Sequence, residues 1–173
     1  MATLVVEDGT GTVASANSYV SIAEVTTFCD NYGLVEWATS ASSTLYTQAI
    51  IRATAFLDGE YDFKGEKYAY DDPLQWPRSG VYAFQDLHPE DEEFFQEVPD
   101  GVKKACCRAA YEELKAPGTL QSNLVSNVKR EKIDVLETEY FERQIPSKTV
   151  YRTIEGFLKG LLNNSNVSNL LRC

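Results

Sequence analysis

The chain has 173 residues, of which 43% are hydrophobic and 24% are charged, a composition typical of a folded globular protein of one domain rather than of a disordered chain. Its formal net charge of −10 at pH 7 disfavours general binding to nucleic acid, because such binding usually needs a basic stripe that neutralises phosphates. No apolar run approaches the ~18 residues that span a bilayer, and the start of the chain has no signal-peptide pattern, so we expect synthesis in the cytoplasm and no membrane partner.

Four segments show apolar residues at helical spacing: 22–32, 45–59, 102–115 and 150–162. Before the first, Ser21 and Glu24 form a capping box, and Gly33 supplies a left-handed stop after it. Asp100 is positioned to cap the third segment, whose small apolar side chains allow another helix to approach closely. The sequence therefore predicts a mainly α fold, a small bundle of about four helices.

A long segment, residues 60–98, lacks helical periodicity and is rich in aromatic and acidic residues. Loops of this length inside a compact domain usually have a function. Within it lies the Trp-Pro loop, residues 76–82. We expect Trp76 and Tyr82 to turn inward, Pro77 and Gly80 to fix the shape of the loop, and Arg78 to be left to pair with a carboxylate of a neighbouring chain.

Two further segments complete the predicted organisation. Residues 125–142 alternate imperfectly between apolar and polar side chains, which indicates a short two-stranded β arm. Residues 163–173 form a polar C-terminal tail that carries Leu170 and Leu171 and has few apolar anchors. We therefore assign residues 1–162 to one domain and 163–173 to an extended tail.

The sequence offers little for catalysis. His88 is the only histidine and lies in the acidic loop, so no nucleophile and base can be paired. The turn at residues 9–11 lacks the residues of a phosphate-binding loop, and the acidic runs lack the ligand spacing of a calcium loop. The four cysteines include no Cys-x-x-Cys pair. We expect no enzymatic activity, no cofactor and no metal.

Charge is unevenly distributed along the chain. Residues 1–100 contain 4 basic and 18 acidic residues, whereas residues 101–173 contain 12 basic and 8 acidic residues. Opposite charge on the two halves suits a head-to-tail contact between copies, and such a contact repeated about an axis closes a ring.

Several segments occur in an order that resembles a known group of tailed-phage proteins. They are VEDGTG (6–11), ANSYVS (16–21), IRATAFLD (51–58), WPRSGVY (76–82), VPDGVKKA (98–105) and VKREK (128–132). The resemblance covers roughly residues 2 to 160. Members of this group are often labelled DnaT-like single-stranded-DNA-binding proteins, and they look like head-to-tail adaptor, or head completion, proteins.

The resemblance implies a structural adaptor that forms a twelve-membered ring between the portal and the tail. The implied partners are the portal protein, a tail, tail-terminator or nozzle protein, other copies of the chain, and genomic DNA that passes through the lumen without specific binding. The implied location is the head-tail junction of the virion, after synthesis in the cytoplasm of a host bacterium. Candidate interface residues are Trp76, Pro77, Arg78, Gly80, Tyr82, Lys129, Arg130, Lys132, Leu170 and Leu171, and the tail is a candidate for docking on the portal.

The alternative, taken from the family's label, is a phage single-stranded-DNA-binding accessory protein of replication. Such a protein needs exposed aromatic side chains beside basic ones. The aromatic residues between 60 and 98 have acidic neighbours, and only Lys129, Arg130 and Lys132 form a patch that favours DNA. On these grounds the adaptor was the expected function.

Overall fold

The structure, a computed structural model, describes residues 2–38, 42–81, 97–120 and 151–163, and the backbone of residues 131–133 and 136–138. Its elements in chain order are α1 (Ile22–Asn31), α2 (Ser43–Glu60), β1 (Glu66–Lys67), β2 (Arg78–Ser79), α3 (Asp100–Lys115), β3 (Glu131–Ile133), β4 (Leu136–Thr138) and α4 (Arg152–Leu158). The prediction of a mainly α fold with about four helices is confirmed.

The first helix begins as the sequence predicts. The backbone amide of Glu24 donates to the Ser21 hydroxyl at 3.2 Å, and the Ser21 amide donates to the Glu24 carboxylate at 2.7 Å. At the other end, Gly33 has φ +66°, the left-handed conformation that ends many helices. Both ends of α1 are therefore fixed by local side chains and not by packing alone.

α3 lies at the centre of the bundle and packs against α1, α2 and α4. Its core side is made of small side chains, with Ala105, Cys106, Ala109 and Ala110 all buried, so neighbouring helices approach closely. At Gly101 a Cβ atom would lie 2.5 Å from the carbonyl oxygen of Phe157, which shows how near α4 comes to the start of α3. The basic side chains Lys104, Arg108 and Lys115 of α3 are not buried and lie on its remaining, outer side.

A buried carboxylate fixes the chain after α3. Glu113 is fully buried and accepts from Arg52 Nε of α2 at 3.0 Å, from the Gly118 amide at 2.7 Å and from the Leu120 amide at 3.3 Å. Hydrogen bonds to a buried carboxylate offset the cost of taking its charge out of water. Glu113 thus ties the turn at the end of α3 to the neighbouring helix.

The segment predicted as a long loop contains a small antiparallel hairpin. β1 pairs with β2 so that Glu66 faces Ser79 and Lys67 faces Arg78. The sequence does not predict this hairpin, because strands of two residues show no alternation. Gly65 is required there, since it has φ +72° and a Cβ atom would lie 2.1 Å from the Ser79 carbonyl oxygen.

Two boundaries differ from the predicted ones. Asp100 is the first residue of α3 and pairs with Lys104, while Pro99 occupies the N-cap position without a side-chain bond. Proline is compatible with this position because its amide would have no partner inside the helix. The last helix is shorter than residues 150–162, since Lys159 leaves helical geometry and α4 ends at Leu158.

The β arm predicted at 125–142 is present in the backbone of β3 and β4, which pair antiparallel with Glu131 opposite Thr138 and Ile133 opposite Leu136. Within the described residues, no helix is both long and apolar enough to cross a membrane. The predicted division into a domain of residues 1–162 and a tail of 163–173 stays a prediction, because residues 164–173 lie outside the described part.

Candidate nucleic-acid interface

The Trp-Pro loop is built into the core. Trp76 is fully buried, and its ring meets Phe63 edge-on with centroids 5.6 Å apart. Pro77 is also buried, and the peptide bond that joins it to Trp76 is cis. The expectation that Trp76 turns inward is confirmed.

Arg78 is nearly buried, and its guanidinium bonds to oxygen atoms of its own chain. Its acceptors are the carbonyls of Phe63, Lys64, Gly65 and Gln75 and the side-chain oxygen of Gln75, at 2.7 to 3.3 Å. A guanidinium has five N–H donors in a planar fork, which suits this convergent set of acceptors. The guanidinium is held within its own chain because the β1–β2 hairpin folds around the side chain. A pairing of Arg78 with a carboxylate of a neighbouring chain stays a prediction.

The other predicted site residues are distributed as follows. Gly80 has φ +69°, as a turn glycine would, and its position offers open space for a side chain. Lys132 lies in β3, whose backbone alone is described. Tyr82, Lys129, Arg130, Leu170 and Leu171 lie outside the described residues. A role of any of these residues in an interface stays a prediction.

A half-buried acid, Asp58, lies beside the Trp-Pro loop. The hydroxyl of Tyr19 donates to Asp58, and the amide of Gln75 donates to the other carboxylate oxygen of Asp58 at 3.2 Å. Burial raises the pKa of Asp58 to about 6, against the hydrogen bond from Tyr19 and the nearby charges of Lys67 and Arg78, which lower it. This cluster joins α2 to the loop and serves the fold.

A cavity of about 360 Å³ lies next to this region and is acidic. Its walls are Asp8, Gly9, Thr10, Tyr68 and Glu97. Hydrogen bonds from Thr10 hold the pKa of Asp8 below its usual range, so its charge persists at neutral pH. Tyr68 and Tyr70 are exposed here, but the carboxylates beside them would repel a phosphate backbone.

In contrast to the acidic cavity, the outer side of α3 carries basic side chains. Lys104, Arg108 and Lys115 are four and seven residues apart, which places them within about 40° of one another around the helix axis and along about 16 Å of its length. We call these three residues the α3 basic stripe. The ring of Tyr111 supports it, with the Arg108 guanidinium carbon 5.2 Å and Lys115 Nζ 5.4 Å from the ring centroid.

The α3 basic stripe is bordered by an aromatic cluster, which we define as Phe28, Tyr32 and Phe157. The rings of Phe28 and Tyr32 stack with centroids 4.4 Å apart, and both meet Phe157 edge-on at 6.1 and 6.3 Å. Tyr32 is 55% exposed, while Phe157 is half-buried. The cluster lies at the Lys104 end of the stripe, since Tyr32 contributes to the raised pKa of Lys104, whose main cause is the hydrogen bond to Asp100.

Each cation of the α3 basic stripe has a carboxylate partner near the surface. Lys104 pairs with Asp100 at 2.7 Å, Arg108 with Glu112 at 2.5 Å, and Lys115 with Glu36 at 3.8 Å. An exposed pair one helical turn apart, such as Lys104 with Asp100, is worth only about 0.3–0.5 kcal/mol, whereas the side chains of Arg108 and Glu112 are half-buried. A phosphate can therefore compete for these cations at small cost.

Arg152, the first residue of α4, extends this positive surface. It is exposed and lies with Arg108 and Glu112 around a second cavity of about 220 Å³. No group of three His, Cys, Asp or Glu side chains within the described residues is arranged to hold a metal ion. The arrangement on this side of the bundle is thus one of cations beside one exposed aromatic ring, that of Tyr32, which is suited to binding a strand of nucleic acid.

Residues 2–173 match the model of a family described as "Putative DnaT-like ssDNA binding protein". The chain belongs to this family. No curated protein matches this member of the DnaT-like family, and no solved structure matches it.

The family corrects the function expected from the sequence. The head-to-tail adaptor, with its portal and tail partners and its twelve-membered ring, is wrong, because the family that covers the chain is described by binding to single-stranded DNA. The expectation that DNA passes without being bound is wrong for the same reason. The error came from seeking cations only at Lys129, Arg130 and Lys132 and aromatic residues only between 60 and 98, whereas the α3 side carries further cations and Arg108 and Arg152 line one cavity.

Proposed function

We propose that this protein binds single-stranded DNA through the surface formed by the α3 basic stripe, Arg152 and the aromatic cluster. The observation that carries the proposal is the family match over residues 2–173, which leaves no large part of the chain to another family. The structure adds a surface whose chemistry fits the ligand.

The distribution of charge determines where a phosphate backbone can approach the surface. The α3 basic stripe and Arg152 supply four cations on adjacent elements, whereas the wall of the acidic cavity carries the carboxylates of Asp8 and Glu97. Neutralising phosphates and releasing their counterions supplies most of the affinity of non-specific binding. The acidic part of the chain repels the strand, so binding is confined to the α3 side.

The aromatic cluster offers a surface on which a base of the strand can stack. Stacking of a base on an aromatic side chain is worth about 1–3 kcal/mol, and every base offers a face for it. Tyr32 is exposed enough to receive a base, and Phe28 supports its ring from beneath. A duplex keeps its bases stacked on each other, so this contact favours single strands and is tolerant of sequence.

A titration monitored by fluorescence anisotropy tests the proposal. A labelled oligothymidine strand and a duplex of the same length are each titrated with the protein over a range of salt concentrations. For about four phosphate contacts we expect the logarithm of the binding constant to fall with the logarithm of salt concentration with a slope of about −3 for the single strand. We also expect the duplex to bind more weakly. Absence of binding at low salt, or equal affinity for the duplex, would contradict the proposal.

Three further properties stay predictions. A role as an accessory protein of replication rests on the resemblance alone, and absence of enzymatic activity and location in the virion have not been tested. Quantitative mass spectrometry of purified DNA-filled particles tests the location. Absence of the chain from the particle would be consistent with a role inside the infected cell, and a fixed copy number per particle would place it in the virion.

A further inference from the structure

The cavity between α3 and α4 has features that point to a particular ligand group. It measures about 220 Å³, and its walls are Arg108 and Glu112 of α3 and the consecutive residues 151–154. The inference that follows rests on the proposed binding of single-stranded DNA and locates one of its contacts.

Two arginines, Arg108 of α3 and Arg152 of α4, line this cavity from different helices. Arg108 is half-buried, and the face of Tyr111 beneath it restricts its position. Arg152 is exposed and makes no hydrogen bond or ion pair within the part of the chain that the structure describes. One guanidinium is therefore positioned in advance, and the other is available to a ligand.

The cavity already holds one anionic group, the carboxylate of Glu112. It accepts from Arg108 Nη2 at 2.5 Å and leaves Arg152 without a partner among the described residues. A carboxylate oxygen on a guanidinium occupies the place that a phosphate oxygen takes in an arginine–phosphate pair. The volume is well above what a single water molecule needs, so a phosphate with part of its hydration fits beside Glu112.

The wall of the cavity is held in place by contacts that do not involve the two arginines. The ring of Tyr151 packs edge-on against Phe56 of α2 at 5.7 Å, and its hydroxyl donates to the Thr119 carbonyl at 3.3 Å. Burial raises the pKa of Tyr151, so its hydroxyl stays protonated over the physiological range. Replacing Arg152 or Glu112 should therefore leave the cavity wall unchanged.

We propose that this cavity binds one phosphate group of the DNA backbone between the guanidinium groups of Arg108 and Arg152. In the free protein the Glu112 carboxylate pairs with Arg108, and the phosphate displaces it when the strand binds. Glu112 then acts as a built-in competitor that weakens binding to the phosphate. The same carboxylate disfavours any ligand that cannot offer a second contact to Arg152.

Two substitutions of opposite expected effect test this proposal in the full-length chain. Arg152→Gln removes a phosphate contact, so we expect binding of labelled oligothymidine to weaken about five- to tenfold and the salt slope to fall in magnitude by about 0.7. Glu112→Gln removes the competitor, so we expect binding to tighten about two- to threefold. Arg152 is exposed, and Glu112→Gln keeps the size of a half-buried side chain and an oxygen that can accept from Arg108, so thermal unfolding should change little.

Lys103→Gln is the matched control. It makes the same change of net charge on α3, but Lys103 lies about 140° from Arg108 around the helix axis. We expect its effect on affinity to stay within twofold. If Lys103→Gln weakens binding as much as Arg152→Gln does, or if Glu112→Gln fails to tighten it, the cavity is not a phosphate site. Absence of DNA binding by the unaltered chain would instead overturn the proposed function itself.

A second arm distinguishes the phosphate of a strand from a free anion. Inorganic phosphate is titrated into the protein while the Nε–H signals of Arg108 and Arg152 are followed by NMR, and oligothymidine is then added. We expect weak shifts with inorganic phosphate and larger shifts in the same direction with the strand. Tight binding of inorganic phosphate that the strand does not displace would show a free-anion site and overturn the assignment to DNA.

Discussion

Arg78 and Arg152 carry the same side chain in opposite surroundings. Arg78 is nearly buried and donates to four backbone carbonyls and one side-chain oxygen around the β1–β2 hairpin. Arg152 is exposed at the start of α4, beside a cavity that it shares with Arg108. The arginine in the most conspicuous motif of the sequence thus holds the fold together, while an arginine in an unremarkable segment is available to a ligand.

The same contrast extends to the aromatic residues. Tyr68 is exposed beside the carboxylates of the acidic cavity, and Tyr70 is exposed next to Asp71 in the chain, whereas Tyr32 is exposed beside Lys104. Exposure of an aromatic ring is not sufficient for binding a strand, since the charges around it decide whether phosphates can approach. The hairpin region and the α3 side therefore differ in function although both carry exposed tyrosines.

The largest expected effect is the difference in the free energy of unfolding between substitutions at Arg78 and at Arg152. Arg78→Gln leaves several buried carbonyls without a donor and should lower the free energy of unfolding by about 3–5 kcal/mol, as loss of one partner in a buried charged network does. Arg152→Gln should change it by less than about 0.5 kcal/mol. Urea denaturation of both variants measures the difference. Equal stability of the two would remove the structural role given to Arg78.

Substitutions of Trp76 test whether the Trp-Pro loop stabilises the fold through packing. Trp76→Ala should cost about 3–5 kcal/mol because it empties a fully buried site against Phe63. Trp76→Phe should cost clearly less, since within the described residues the indole N–H of Trp76 has no hydrogen-bond partner to lose. Thermal and urea unfolding distinguish the two variants. A Phe variant as unstable as the Ala variant would show that an unrecognised bond to the indole N–H matters.

Asp58 gives the hairpin region a characteristic dependence on pH. Its folded pKa of about 6 lies above the unfolded value of 3.8, so the folded state binds the proton more tightly. The Asp58 contribution therefore favours folding at low pH, declines as pH rises from about 4 to 6, and is level above that. Relative to Asp58→Asn, the native chain should lose about 2–3 kcal/mol of stability over this range, with DNA affinity at neutral pH unchanged. The difference between the two unfolding curves, measured from pH 4 to 7, checks this, and parallel curves would argue against a buried, protonatable Asp58.

Substitutions in the α3 basic stripe should cause the smallest change in free energy, and they should affect DNA binding and not folding. Lys104→Gln and Lys115→Gln should each weaken binding to oligothymidine about three- to fivefold and reduce the magnitude of the salt slope by about 0.7. Their unfolding should be almost unchanged, because both side chains are largely exposed. Anisotropy titrations at several salt concentrations measure both quantities, with Lys103→Gln as the control. An unchanged slope would show that these cations do not meet phosphates.

The parts of the fold that could be predicted are those with local causes. The capping box of Ser21 and Glu24 and the inward position of Trp76 follow from residue type and spacing, and the structure confirms both. The hairpin could not be predicted, since two-residue strands are formed by contacts around Arg78 that are distant in sequence. Asp100 was assigned to the cap because its residue type is common there, but Pro99 occupies that position.

The candidate interface was only partly visible in the sequence. The spacing of Lys104, Arg108 and Lys115 was readable from a helix prediction, but charge compared between the two halves of the chain does not show which cations share one face of a helix. The aromatic cluster was not readable, because Phe157 joins Phe28 and Tyr32 only when α4 packs near the start of α3. Charge should have been assigned to helix faces before nucleic acid was disfavoured.

The most direct test of the account is to map where the strand lies. The protein is cross-linked to single-stranded DNA by ultraviolet light, digested, and the modified peptides are identified by mass spectrometry. We predict cross-links at Tyr32 and Phe157 and in peptides of α3. Cross-links confined to Tyr68 and Tyr70 of the hairpin region, or to the arm at residues 125–142, would contradict the assignment of DNA binding to the α3 side of the bundle.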